Sequence, residues 1–155
     1  MKPTAYIFDV DGTLANVSPF LYHIRNTDND PAFKKNFDKF HSDSINALPN
    51  FEVVQMLNNA AADGHAIVVV TARKEHWRPH TSLWLAKNNI LSHAMFMRGN
   101  NDHRPDYEIK KDILDNILSV WDVVHAVDDN PAVIQLWQEH GIPTTKIGTW
   151  DGHRS

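Results

Sequence analysis

Five short apolar runs recur along the chain, and the stretches between them carry apolar residues at helical spacing. The runs predict strands at residues 4–9, 66–71, 94–98, 123–128 and 144–148, each too short for a helix. The intervals predict helices at 51–63, with Gly64 as the C-terminal stop, at roughly 81–89, at 107–119 and at 132–140. The last is the best delimited: Asn130 suits an N-cap, Pro131 suits the first helical position, and Gly141 ends the run. Apolar strands alternating with amphipathic helices imply an α/β fold, a doubly wound parallel sheet of Rossmann type with helices on both faces. Such sheets bind ligands outside the carboxyl ends of their strands, and Asp9, Thr71 and Asp128 all fall there.

The polar residues at those ends sharpen the picture. The first run stops at two carboxylates one residue apart, Asp9 and Asp11, followed by Gly12 and Thr13. Like charges so placed repel unless a cation or a shared proton relieves them, so the spacing suggests a metal site or an acid/base pair. Asp-Gly is equally common in hairpin turns. The fourth run ends in a second pair, Asp128 and Asp129, before Asn130 and Pro131, where the structural alternative is a helix cap.

The wording of these stretches carries a resemblance. Asp9-Val-Asp-Gly-Thr-Leu14 after a hydrophobic strand resembles the first motif of the haloacid-dehalogenase-like (HAD) phosphatases. The resemblance implies Asp9 as nucleophile, forming an aspartyl-phosphate, and Asp11 as general acid and base. Thr71 matches the second motif, a hydroxyl that hydrogen-bonds phosphate; its structural alternative is a helix cap. Arg73, two residues on at the ligand face, is placed to grip phosphate bidentately. Lys110 fits the third motif, with Lys111 as competitor, and Asp106 four residues earlier can orient it from the same helix face. Asp128 and Asp129 match the fourth motif. The ligand set implied for Mg²⁺ is the Asp9 and Asp128 carboxylates and the Asp11 backbone carbonyl, with Asp129 as ligand or just behind. Receiver domains combine similar residues, but their phosphorylated Asp follows the third strand, and here the pair follows the first.

Within that superfamily, the strings Ile7–Ala15, Ile67–Arg73, Arg98 through Arg104-Pro-Asp106 with Lys110, Ala126–Asp129 and Val133–Trp137 look like the phosphatase domain of bacteriophage polynucleotide kinase 3′-phosphatase. The resemblance covers most of the chain outside 16–50. It implies removal of 3′-phosphates from nucleic-acid ends and nucleotides with Mg²⁺. Two departures stand out. No Gly-x-x-x-x-Gly-Lys-Ser/Thr string is present, so no kinase site is legible. The arginine that the family carries shortly after the first motif is replaced near that place by Phe20, with Arg25 as a stand-in.

Residues 16–50 are the least patterned. Their length suits a pair of short helices, a small cap or insert after the first strand. Phe33, Phe37 and Phe40 recur at helical spacing with Lys34, Lys35 and Lys39 among them, which fits an amphipathic helix packed on the body or, alternatively, stacking and phosphate contacts on a single-stranded end. Trp77 beside Arg73 admits the same two readings. His76 and His80 are separated by Pro79, which argues against a shared metal site on one helix.

The 155 residues suit one domain, 1–155, with 16–50 as a minimal cap. There are no cysteines, which excludes disulfides and thiolate metal sites. A net charge of -4 argues against a broad duplex-binding surface and leaves room for a local basic patch. The apolar run after Lys2 is too short for a signal peptide or membrane span, so a cytoplasmic location is expected. The functional expectation is a Mg²⁺-dependent phosphatase of phosphorylated nucleic-acid ends, with a separate kinase or ligase as partner. The alternatives are a nucleotidase or other small-molecule phosphatase, and a repair-complex subunit whose site is vestigial.

Overall fold

In the computed structural model, which describes residues 1–148, alternate residues of the central strands enter two different cores. Strand β1 (Thr4–Phe8) sends Ala5 and Ile7 to one face of the sheet and Phe8 to the other. After β1 the chain forms a two-residue arm, β2 (Ala15–Asn16), and enters the insert. The insert contains a 3₁₀ turn at Ser18–His23, helix α1 (Phe37–Asp43) and a further 3₁₀ turn at Ser44–Asn46. It returns through β3 (Leu48–Pro49), which pairs antiparallel with β2 and closes the neck. Where a pair of short helices was expected, the insert holds one α-helix and two 3₁₀ turns. Phe40 is wholly buried, Phe37 packs on the same core, and Phe33 lies outside the helix, so the Phe stripe is shorter than its spacing suggested.

The remainder alternates helices and strands: α2 (Phe51–Ala62), β4 (Ala66–Lys74), α3 (Arg78–Lys87), β5 (Ala94–Arg98), α4 (Asp106–Leu118), β6 (Asp122–Asp128), α5 (Pro131–Glu139) and β7 (Thr144–Lys146). The five long-range strands form a parallel sheet in the order β5-β4-β1-β6-β7. Val68, Val70 and Ala126 pack against the apolar stripes of α4 and α5, among them Leu114 and Trp137. Ile67, Val69 and Val127 pack on the other face under α2, α3 and the insert, against Leu57, Trp84 and Phe40. Period-two strands and helices on both faces together make the doubly wound α/β architecture.

Two boundaries differ from expectation for physical reasons. Strand β4 runs on to Lys74, not to residue 71, because Lys74 still pairs with Arg98 of the neighbouring strand after a register irregularity beyond Val70. Helix α3 begins at Arg78, several residues early, with Pro79 in its first turn, where the missing N–H has no intrahelical role. At α5 the Asn130 side chain accepts the Ala132 N–H at 3.0 Å, and Gly141 ends the helix with φ +74, a conformation that favours glycine. No helix among the described residues is long and apolar enough to cross a membrane.

Candidate active site

The sheet register brings the acids together. Phe8 lies opposite Val127, so the next residues, Asp9 and Asp128, emerge side by side at the carboxyl edge; the Asp9 N–H donates to the Val127 carbonyl at 3.1 Å. Because β1 is central, that edge is flanked by β4 as well as β6. Beyond Asp9 the chain turns tightly, with the Thr13 and Ala15 N–H groups donating to the Val10 carbonyl. The turn that Asp-Gly suggested is thus real, and it carries the two carboxylates in different directions.

Asp9 faces Lys110 and Thr13. Its Oδ1 accepts from Lys110 Nζ at 3.0 Å, and its Oδ2 from Thr13 Oγ1 at 3.1 Å. Lys110 also donates to Asp128 Oδ2 at 2.7 Å, and Asp128 Oδ1 accepts the backbone N–H groups of Asp129 and Asn130 in the turn that precedes α5. Carboxylate oxygens of Asp9, Asp128 and Asp129 lie within 4.8 Å of one another, the sole such cluster among the described residues. All three side chains are buried.

Charge is unbalanced in this pocket. Burial and then the Asp128 carboxylate raise the Asp9 pKa well above the usual carboxylate range, against the pull of Lys110. Burial likewise raises Asp128, with Lys110 opposing and Asp129 adding to it. Burial alone would lower the Lys110 pKa, but Asp128 and Asp9 more than reverse this, and the ammonium stays charged. One cation among three carboxylates leaves negative charge that a hard divalent ion with oxygen preference would relieve, so the donor set fits Mg²⁺.

Asp11 turns to Arg73. The guanidinium meets it bidentately, Nε to Oδ2 at 3.0 Å and Nη2 to Oδ1 at 2.6 Å. Nη1 donates to Thr81 Oγ1 and Nη2 to Ser44 Oγ, so four of the five donors of this fork are engaged. Arg73 is 1% exposed. The structure pairs it with Asp11, since a buried carboxylate demands a cation. Thr71 is wholly buried, and its Oγ1 accepts the Arg73 N–H at 3.2 Å within the strand, not at a helix cap.

Asp106, four residues before Lys110, adds its charge to those that keep the ammonium protonated. At the first position of α4 it accepts from Arg98 Nη2 at 2.8 Å, and Arg98 also binds the carbonyls of Ala72, Asp102 and Arg104. Arg98, Ser44, Thr81 and Thr13 thus join the site without having been singled out from the sequence. Thr13 stood within the first motif, and Arg98 ends a strand at the ligand edge; Ser44 and Thr81 gave no local signal. Phe20 packs on the core, and Arg25 is half-buried in the insert. His80 bonds the Ser42 carbonyl and His76 belongs to the preceding 3₁₀ turn, so neither enters the acidic cluster.

Residues 3–151 match the family described as polynucleotide kinase PNKP phosphatase domain. The chain belongs to this family. The domain is 27% identical over 145 residues to the "Putative bifunctional polynucleotide kinase/RNA ligase" of Autographa californica nuclear polyhedrosis virus, covering 92% of this chain and 19% of that protein. Among solved structures it is similar to a Pnkp1/Rnl/Hen1 complex, with TM-score 0.77 and 28% identity over 97% of this chain and 47% of the other. The structure of the Pnkp1/Rnl/Hen1 RNA repair complex matches equally well, with TM-score 0.77, 29% identity, and 97% and 44% coverage. The class C acid phosphatase from Bacillus anthracis with tungstate bound shares the fold, at TM-score 0.73 and 15% identity over 96% of this chain and 68% of that one. The chain spans less than half of the first two structures' chains and about a fifth of the viral relative. It is a HAD-type phosphatase domain of the polynucleotide kinase/phosphatase family.

Proposed function

We propose that this domain hydrolyses 3′-phosphate monoesters at nucleic-acid ends through an aspartyl-phosphate on Asp9. The observation that carries the reading is the placement of Asp9 in the Lys110–Asp128 cluster at the carboxyl edge of the sheet, with Asp11 two residues on in the same turn. Asp9 is aimed at the Lys110–Asp128 cluster, and Asp11 is clamped by Arg73. An Asp9 oxygen attacks phosphorus, the bond between phosphorus and the 3′-oxygen breaks, and Asp11 gives that oxygen a proton. Asp11 then takes a proton from the water that attacks the aspartyl-phosphate, which releases inorganic phosphate and restores Asp9. Lys110 and the Thr71 hydroxyl are assigned to the phosphate oxygens. Arg73 acts through Asp11, fixing the plane of its carboxylate, and Asp106 holds Arg98.

Asp9, Asp128, Asp129 and the Asp11 backbone carbonyl are the groups assigned to Mg²⁺, which when bound neutralises charge on the phosphate. We read residues 1–155 as one domain with 16–50 as a minimal cap, thin enough to admit a polymer end. A cytoplasmic location and a separate kinase or ligase as partner complete the reading. Neighbours in Pnkp1/Rnl/Hen1 assemblies support the partner class.

The test is phosphate release from matched 3′- and 5′-phosphorylated oligonucleotides and from nucleoside 3′- and 5′-monophosphates, with Mg²⁺ and then with EDTA. Preference for the 3′-phosphorylated oligonucleotide, abolished by EDTA, is expected. Turnover of mononucleotides alone would make the domain a nucleotidase with the same machinery.

A further inference from the structure

A cleft of about 540 Å³ opens between the insert and the body. Its wall includes Asp106, the first residue of the helix that carries Lys110, and Lys74, the neighbour of Arg73, so it adjoins the reacting groups. Three features of the lining point to one kind of occupant.

The first is His41, on α1. It is 3% exposed, and its Nδ1 is buried without a hydrogen-bond partner. Burial, with Arg73 adding to it and Asp11 opposing, lowers its pKa to about 3, so the ring is neutral and offers one N–H and one lone pair. Nδ1 is closed off from the cleft, and what His41 gives the wall is an uncharged aromatic ring packed beside the indole of Trp77.

The second is Trp77, half-buried in the same wall with its ring centroid 5.5 Å from that of His41. His80 meets it edge-on at 5.2 Å and His76 lies 5.3 Å away, so the indole is braced from several sides. A braced aromatic plane beside a solvent-filled space is a platform for a base.

The third is charge. Arg98 and Arg104 are offset by Asp106, and by Asp102 and Asp112, respectively. Lys35 and Lys74 also line the cleft and make no ion pair among the described residues; Asp38 on the same wall offsets part of their field. This local positive balance sits on a chain of net charge -4.

We propose that this cleft binds the last nucleotides of a single strand: the base next to the 3′-phosphate stacks on Trp77, which His41 backs, and Lys35 and Lys74 hold the preceding backbone phosphates. The assignment rests on the 3′-end reading and deepens it. A small phosphate ester needs none of these contacts, a mononucleotide reaches only Trp77, and a polymer reaches all three.

The experiment compares kcat/KM for a 3′-phosphorylated single-stranded oligonucleotide with that for p-nitrophenyl phosphate, across salt concentrations, in wild type, Trp77→Leu, Lys35→Ala and Lys74→Ala. The expected result is a fall in the oligonucleotide-to-small-ester ratio of roughly 5- to 100-fold for Trp77→Leu. Each lysine variant lowers the slope of log(kcat/KM) against log[salt] by about 0.7. An unmoved ratio in a wild-type-active background overturns the cleft assignment alone. Equal loss on both substrates makes these residues structural and overturns it too. A wild-type protein that hydrolyses p-nitrophenyl phosphate and no 3′-phosphorylated strand overturns both the cleft and the reading beneath it.

Discussion

Arg73 was expected to grip phosphate, and the structure gives it to Asp11; Arg73→Met separates the two roles. Both side chains are almost fully buried, at 2% and 1% exposure, so the variant leaves the Asp11 carboxylate inside the protein with no cation against it. Breaking one side of a buried pair costs about 3–5 kcal/mol, well above the ~1 kcal/mol of an exposed one. Urea unfolding at pH 7 should show that loss, and the double variant Asp11→Asn/Arg73→Met should recover most of it. Catalysis supplies the second readout. With its orientation gone, Asp11 forfeits general acid–base catalysis, and kcat falls about 10²–10⁴-fold. Inhibition by inorganic phosphate changes by less than about threefold, because the lost guanidinium did not touch the phosphate. Direct phosphate grip would behave in the opposite way, losing charge-assisted hydrogen bonds of about 1.5–3 kcal/mol and weakening phosphate tenfold or more. A stable Arg73→Met protein with weakened phosphate binding and preserved kcat would refute the clamp.

Other expectations follow from the same geometry. Lys110→Met removes the ammonium from between Asp9 and Asp128, so the protein should melt lower in EDTA and gain more from added Mg²⁺ than wild type does in a thermal-shift assay. His41 is neutral when folded, with its pKa lowered to about 3, and protonates near 6.5 when unfolded, so its contribution is complete above about pH 6.5 and is lost as pH falls. Between pH 7 and pH 5 that loss is about 2 kcal/mol, and His41→Phe should flatten the urea-derived stability profile by that amount. Leu114→Ala, at a wholly buried position under the sheet, should cost about 2–5 kcal/mol in the same assay without changing KM.

The strand ends were legible because apolar runs that stop at acids have few structural explanations, and the parallel register then sets Asp9 beside Asp128 without further instruction. What stayed hidden are partnerships between distant residues. Arg73 and Asp11 are 62 positions apart, and no local spacing says that a buried carboxylate will claim this guanidinium. Asp106 illustrates the same limit at short range: its spacing from Lys110 is legible and its charge acts there, but its hydrogen bond from Arg98 left no local signal. Residues 16–50 were hardest, because Phe40 is core while Phe33 is not in the helix, so even a regular aromatic spacing there overstated the helix. Pro79 keeps His76 and His80 off a shared helix: it sits in the first turn of α3, and His76 lies in the 3₁₀ turn before it.

The central claim is that phosphate passes through Asp9. An oligonucleotide carrying a radiolabelled 3′-phosphate, mixed with excess protein, quenched in acid within milliseconds to seconds and digested, tests it most directly. The account predicts a transient, base-labile label on the peptide containing Asp9, absent in Asp9→Asn, which should keep the wild-type fold and lose turnover. Full turnover with no label on that peptide, or an active Asp9→Asn protein, would contradict it.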